Sequence, residues 1–447
     1  MVSNDLVYIP DVLLVEADAR RGWGVLARDG RIVTVGPAND LARRAPDAER
    51  VDLDGHLLMA GTVNAHSHSF QSLLRGLSDD QPFFEWRRYI HHLIPMLDEE
   101  GIYAGALFAF GEMLLRGVTT VCDFFYVHHG GIAHDLAVAR AARDLGIRLV
   151  FARTMLDGDN SAEAFRETPA QAEANTRALA ARLQGDPLVS VIPAPHSPHG
   201  ASGEMIRAGA RLAAEWGVPW HIHVAEGQYE GEATRKEHGL GPLAWMASLG
   251  AVDERLRIVH GVWLDDDEIA LLGRAGGGLI HCAGSNLFLG DGIAPLPKYF
   301  DAGVTVSLGC DSGSANNKVS IFNDMRLAAT LQKGIALSSD RLLADQALRM
   351  ATRNGAHAAG QPVGSLDVGA FADLVALDLS DLSLQPHHNL ARNVVYSMEP
   401  TAIRHVWVHG RQVVRDNRLV HVRERDVATR VATATAGWPD VTIPGLA

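Results

Sequence analysis

Eight short apolar runs through the middle of the chain constrain its fold more than any other feature. They read GTVNAH, VTTVCDF, IRLVFAR, LVSVIPAP, PWHIHV, LRIVHG, GGLIHC and VTVSLGCD. Between most of them lie helical patterns such as DEEGIYAGALFAFGEMLLRG and GEMIRAGARLAAEWG, each closed by a glycine of the kind that ends helices. Strand and helix alternating about eight times over roughly 250 residues predict an α/β fold, a parallel (β/α)8 TIM-like barrel. An open doubly wound sheet alternates in the same way, but it usually carries a glycine-rich first turn. None follows the first run here.

The two ends read differently. LVYIPDVLLVE, GWGVLARDGRIVTVG and RVDLDGHLLMAG alternate in hydropathy, as do FADLVALDLSD and AIRHVWVHGRQVVRDNRLV, with RDGR, HGR and RDNR as turns. They predict a small β-sandwich domain assembled from both termini. The expected organisation is 1–58 for its N-terminal part, 59–366 for the barrel, and 367–447 for its C-terminal part and tail. A chain of 447 residues, 47% hydrophobic and 21% charged, has the apolar content for both cores and is not expected to be disordered.

Most of the eight runs end in a residue able to do chemistry: His66 and His68, Asp123, Arg153, His196, His223, His260, His281 with Cys282, and Asp311. In a barrel those ends converge on one face, where catalysis occurs. His66 and His68 are two apart on an extended segment, so their side chains share a face, ~6.6 Å apart along the strand. Imidazoles ~2.0–2.1 Å from one ion close that gap with a slight bend. With His223 and Asp311 they make a nitrogen and oxygen donor set suited to Zn2+ or Fe2+.

Glu226 lies three residues past His223 and would face away on a continuing strand. It reaches the same site only if the strand ends near Val224 and bends, which Ala225 and Gly227 permit. There a carboxyl can shuttle the proton of an activated water to a leaving nitrogen. Otherwise it is a surface loop residue. His260 has three readings: a fifth ligand, a hydrogen-bond donor to the attacking oxygen, or a core histidine. LVSVIPAPHSP contains no lysine to bridge a second ion, so one metal is expected.

NAHSHSFQSLLRG, HIHVAEG, RIVHGVW, HCAGSNLFLGDGIAPLPKYFDAGV and SLGCDSGSANN together resemble the amidohydrolase superfamily. The likeness covers nearly the whole chain, including GSLDVGAFADLVALD. It is closest to the cytosine deaminase-like branch of chlorohydrolases and aminohydrolases, with its deaminases of S-adenosylhomocysteine, 8-oxoguanine and isoxanthopterin and its triazine hydrolases. The resemblance implies that His66, His68, His223 and Asp311 ligate a single zinc or iron. It also implies that Glu226 is the proton shuttle, that His260 bonds the reacting oxygen, and that Asp311 helps deprotonate the metal water. The expected enzyme is a metal-dependent aminohydrolase that deaminates a purine, pterin or related nitrogen heterocycle through a metal-activated hydroxide. On the same site, the alternatives are a formimidoyl or amidine deiminase, faintly suggested by His128 and His129, or a triazine C–Cl or C–N hydrolase. Departures from the family pattern fall at GCDS, at HSPHG, which puts His199 where an aromatic often stands, and at Ala60 and Ala370.

Substrate contacts are expected from Gln71, Trp86, Arg153, His196, His199 and Asn286. In the guanine-type deaminases that the chain resembles, a glutamine at the position of Gln71 reads ring edges; its plain alternative is a polar residue opening the QSLLRG helix. PFFEW supplies Phe83, Phe84 and Trp86 as a stacking wall or a packed loop, while Trp263 reads as packing. A net charge of −13 with no compensating basic block argues against nucleic acid, and VHVRERDVATR reads as a solvated helix face. Cys122, Cys282 and Cys310 lack paired spacing, as in a reduced cytoplasmic protein. No leader pattern opens the chain and no run reaches the ~20 apolar residues of a membrane span. A homodimer is the expected assembly.

Overall fold

The computed structural model describes residues 5–443, so the outermost residues of the two expected terminal segments, 1–4 and 444–447, lie outside the described residues. The chain opens with five strands, β1 (Asp5–Val15), β2 (Asp18–Arg21), β3 (Trp23–Arg28), β4 (Arg31–Pro37) and β5 (Glu49–Ala60). Eight more follow: β6 (Thr62–Ser67), β7 (Val118–Phe125), β8 (Arg148–Met155), β9 (Val189–Pro195), β10 (Trp220–Val224), β11 (Leu256–His260), β12 (Gly278–His281) and β13 (Thr305–Leu308). They coincide with the eight apolar runs. The chain returns through β14 (Leu374–Asp378), β15 (Ile403–Val408), β16 (Arg411–Arg415) and β17 (Arg418–Leu419).

β6 to β9 form one parallel sheet in sequence order and β10 to β13 a second. Nearly every residue in these strands is buried, because helices cover them. The intervening helices stop where the sequence says they should. Asp98 caps Glu99–Leu115, and Ser202 caps Gly203–Trp216, which ends on Gly217 at φ +65. At the C-terminal rim, Asp311 N–H donates to the His66 carbonyl and His223 N–H to the His196 carbonyl, both at 3.0 Å. These bonds tie β13 to β6 and β9 to β10 in a TIM-barrel-like α/β unit.

The terminal strands pair with one another in one nine-stranded sheet, ordered β17-β16-β15-β14-β5-β1-β3-β4 with β2 on β1. β5 holds the ends together, parallel to β1 and antiparallel to β14, and crosses the expected 58/59 boundary. The three expected turns each place two residues at positive φ: Asp29 and Gly30, His409 and Gly410, Asp416 and Asn417. That matches the twist of a tight hairpin. Tyr8, Leu58, Leu374 and Trp407 lie in a separate apolar core. The basic-acidic C-terminal segment is a helix, Glu424–Ala434, with only Val427 buried, and its Arg430 stacks over Tyr103 of the helix Glu99–Leu115. Among the described residues no helix is long and apolar enough to cross a membrane.

Candidate metal centre

The C-terminal ends of β6, β10 and β13 bring four expected ligands together. His223 Nε2 lies 3.2 Å from His66 Nε2 and 3.3 Å from His68 Nε2. Asp311 Oδ1 lies 3.6 and 3.5 Å from the same two histidine atoms. Ligand bonds of ~2.1 Å in a tetrahedron put donor atoms ~3.4 Å apart, so this spacing fits one ion.

The outer atoms of the rings aim the inner ones. His68 Nδ1 donates to the Phe124 carbonyl at 2.6 Å and His223 Nδ1 to the His196 carbonyl at 2.7 Å. A carbonyl can only accept, so both rings carry hydrogen on Nδ1 and turn Nε2 lone pairs inward. Burial pushes the imidazoles below their ordinary pKa, His66 to about 3 and His223 well below it. Neutral lone pairs crowded at 3.3 Å repel unless a cation lies between them; the donor set therefore fits a divalent metal. Burial would raise the Asp311 carboxyl, but the approach of His66 and the neighbouring imidazoles holds it well below the carboxylate range. Ser285 Oγ donates to its Oδ2 at 2.5 Å.

Glu226 reaches this centre by the bend that its spacing requires. β10 ends at Val224 and Ala225 takes φ +54. Glu230 caps the corner, accepting from Ala225 N–H at 2.9 Å and Glu226 N–H at 3.2 Å. The two carboxyls separate in acidity. Burial first, then the charges of Asp291, Glu230 and Asp311, push Glu226 well above its ordinary value. Burial also opposes ionisation of Glu230, but His199 and the backbone donor outweigh it and lower its pKa. Glu226 Oε1 lies 3.6 Å from His260 Nε2.

A cavity opens over these groups, walled by Phe83, Trp86, Tyr126, Leu156 and Phe165, with Gln71, His196 and His199 on its lining. Gln71 donates to Tyr126 OH at 2.6 Å, leaving its buried Oε1 unpaired. Trp86 is anchored by Nε1–H to the Ser314 carbonyl at 3.1 Å. Phe84 lies outside, exposed against Tyr229.

Two expected substrate contacts are placed elsewhere. Arg153 is buried behind the wall, paired with Asp135 at 2.7 Å and Glu167 at 2.8 Å, and does not line the cavity. Asn286 stands behind His260, its Nδ2 3.0 Å from His260 Nδ1. His128 bonds the Thr154 carbonyl at 2.9 Å and approaches Asp135 at 3.3 Å, a structural placement. Trp263 donates to the Asp291 carbonyl at 2.6 Å. Sequence reasoning passed over Tyr126, Arg87 and His91 on the lining, and Glu230, Ser285 and Asp291 around it. Only Tyr126 carried a legible signal, at the end of the second apolar run.

The amidohydrolase family model matches residues 57–413. The chain belongs to the amidohydrolase family. A short segment, 24–48, also matches an imidazolonepropionase-like composite domain of bacteria. A 5-methylthioadenosine/S-adenosylhomocysteine deaminase of Syntrophobacter fumaroxidans is 34% identical, covering 94% of this chain and 95% of that protein. A 5'-deoxyadenosine deaminase of Methanopyrus kandleri is 32% identical, covering 90% and 92%. An adenosine deaminase structure from Xanthomonas campestris with bound zinc superposes with a TM-score of 0.90 at 29% identity, over 98% and 99% of the two chains. Atrazine chlorohydrolase from Arthrobacter aurescens, at 23% identity and TM-score 0.89 over 96% and 99%, shares the fold. This amidohydrolase is thus a hydrolase acting on carbon–nitrogen bonds.

Proposed function

We infer that this amidohydrolase deaminates the amino-bearing ring carbon of an aminated nitrogen heterocycle, and that its substrate is an adenosine derivative altered at the 5' position. The observation that carries the reaction is the buried Glu226, 3.6 Å from His260 Nε2 and beside the His/Asp cluster, with burial raising its proton affinity so that it can accept a proton and hand it on. The relatives named as deaminases of such nucleosides support the substrate.

His66, His68, His223 and Asp311 would hold one divalent cation, zinc in this reading, whose chemistry is to acidify water toward a pKa of ~7. The zinc-bound neighbour supports that ion. Glu226 takes the water proton and passes it to a ring nitrogen, leaving the amino-bearing carbon open to attack. His260 Nε2–H donates to the oxygen as charge builds on it, a contribution of about 3 kcal/mol for a well-placed donor. The remaining hydroxyl proton then passes through Glu226 to the amino nitrogen, so the water oxygen becomes the ring carbonyl as the C–N bond breaks and ammonia departs. Phe83, Trp86, Tyr126 and Phe165 present apolar faces that suit a planar ring and exclude solvent.

The same reading closes the eight strands into a barrel, supported by the two rim hydrogen bonds. It curls the nine-stranded sheet into a sandwich, supported by the 5.4 Å contact between Tyr8 and Trp407 on non-adjacent strands. The units divide as 1–58 with 367–447, and 59–366, with the last two residues of β5, Met59 and Ala60, carrying the terminal sheet past that boundary. The cytoplasm suits its three free, buried thiols.

Ammonia release tests the reaction, using metal-loaded protein against methylthioadenosine, S-adenosylhomocysteine, 5'-deoxyadenosine, guanine, isoxanthopterin, formimidoylglutamate and atrazine. The adenosine derivatives should turn over fastest. Glu226→Gln should keep its metal while kcat falls about 10²–10⁴-fold. Turnover of that variant near the wild-type rate removes the shuttle, and ammonia from formimidoylglutamate alone removes the substrate class.

A further inference from the structure

Behind His260 runs a chain of polar groups with one consistent direction. Asn286 lies at the start of the segment after β12, in a short helix, Ala283–Phe288. Its side chain is buried, with Nδ2 3.0 Å from His260 Nδ1 and 3.3 Å from Asp291 Oδ2. Asp291 is itself held, through its backbone N–H to the Asn286 carbonyl at 2.9 Å and through Trp263 Nε1–H to its own carbonyl at 2.6 Å. On the far side, His260 Nε2 faces Glu226 Oε1 at 3.6 Å.

We propose that Asn286, oriented by Asp291, is the positioning residue that fixes His260 as its Nε2–H tautomer and so makes it a donor toward the reacting oxygen. The amide NH2 can only donate. Placed between a carboxylate oxygen and an imidazole nitrogen, it gives one hydrogen to each. His260 Nδ1 then accepts, and the single ring proton of the neutral imidazole resides on Nε2. Burial pushes the Asp291 carboxyl up to about 7, while its hydrogen bond to Asn286 favours the ionised form. With Asp291 ionised, the opposite amide orientation would set Asn286 Oδ1 against the carboxylate, two acceptors facing each other. The orientation is thus selected by the carboxylate and not by the imidazole. The His260 tautomer differs from that of the ligand histidines His68 and His223, whose carbonyl partners put the proton on Nδ1 and leave Nε2 bare. One fold therefore holds three imidazoles of one family of positions in two tautomers, two as acceptors toward the centre and one as a donor.

This rests on the proposed deamination only for its kinetic consequence; the tautomer itself is read without substrate. In metal-loaded protein labelled with 15N-histidine, long-range proton–nitrogen correlation should show His260 protonated at Nε2, the signal being assigned by its loss in His260→Gln. Asn286→Ala and Asp291→Ala should each convert that signal to a tautomer mixture while metal stoichiometry stays at the wild-type level. With the best substrate of the ammonia screen, both variants should lose kcat about 10²-fold with KM within about two-fold, as expected when one transition-state donor is lost. A wild-type His260 protonated at Nδ1 overturns the proposal, as does an unchanged tautomer in both variants. Failure of every substrate would count against the deamination alone, since the nitrogen spectrum decides the tautomer without turnover.

Discussion

Arg153 shows how one residue can carry two incompatible meanings in a sequence. A charged group at the end of an apolar run is the signature of a barrel active site, and five of the eight ends named from sequence do line the cavity or ligand cluster. Arg153 does not, because Asp135 and Glu167 claim its guanidinium in the protein interior. Both partners lie far from it in hydropathy pattern and give no sign of the pairing. Burial alone would raise their carboxyl pKa values; the charge of Arg153 and its hydrogen bonds, with help from His128, bring both below the ordinary range. A depressed folded-state pKa gives stability that is complete above the unfolded value, ~4, and is lost as pH falls through the folded one. Arg153→Met should cost about 3–5 kcal/mol at pH 7, because it strands two buried carboxylates. Urea unfolding should show the gap between wild type and variant narrowing from pH 7 to pH 3.5. A constant gap would mean that lost packing, not lost charge pairing, is the cause.

At the scale of elements, the eight parallel strands were legible because burial on both faces turns each into a continuous apolar word. The hairpins were legible for a local reason too, since Asp-Gly, His-Gly and Asp-Asn pairs occupy positive φ. What joins strand to strand was not legible: the partnership of β5 with both β1 and β14 spans most of the chain, and no local pattern encodes it. The corner after β10 lies between these cases. Its need for a bend follows from the His223–Glu226 spacing, but the device that holds the bend, Glu230 on the next helix, has no motif. Two buried backbone N–H groups depend on that carboxylate. Glu230→Ala should therefore lower stability by about 3 kcal/mol. It should also reduce kcat, since Glu226 would no longer be held at its corner. Glu230→Gln keeps one acceptor oxygen and should lose less of both. Equal melting curves for wild type and Glu230→Ala would show that solvent replaces the cap without cost.

The whole molecule separates chemistry from cohesion by placing them at opposite ends of the same strands. The His/Asp cluster occupies the C-terminal ends, while Arg148, at the start of β8, reaches the terminal sheet. It grips Asp373 through two bonds, at 2.9 and 3.1 Å, and stacks over Phe371 at 3.6 Å. Asp373 also accepts from His409 N–H at 2.7 Å in the β15–β16 turn, so one buried carboxylate ties the parallel-sheet unit to the sheet built from both ends. Asp373→Ala leaves a buried guanidinium and a backbone donor without their acceptor, at a cost of about 3–5 kcal/mol. Unfolding midpoints should fall accordingly. Because in such folds the N-terminal face serves stability and the C-terminal face catalysis, kcat and KM measured well below the new midpoint should stay within about two-fold of wild type. A loss of kcat with the midpoint unchanged would reverse the assignment, making the terminal sheet part of the working site and not its support.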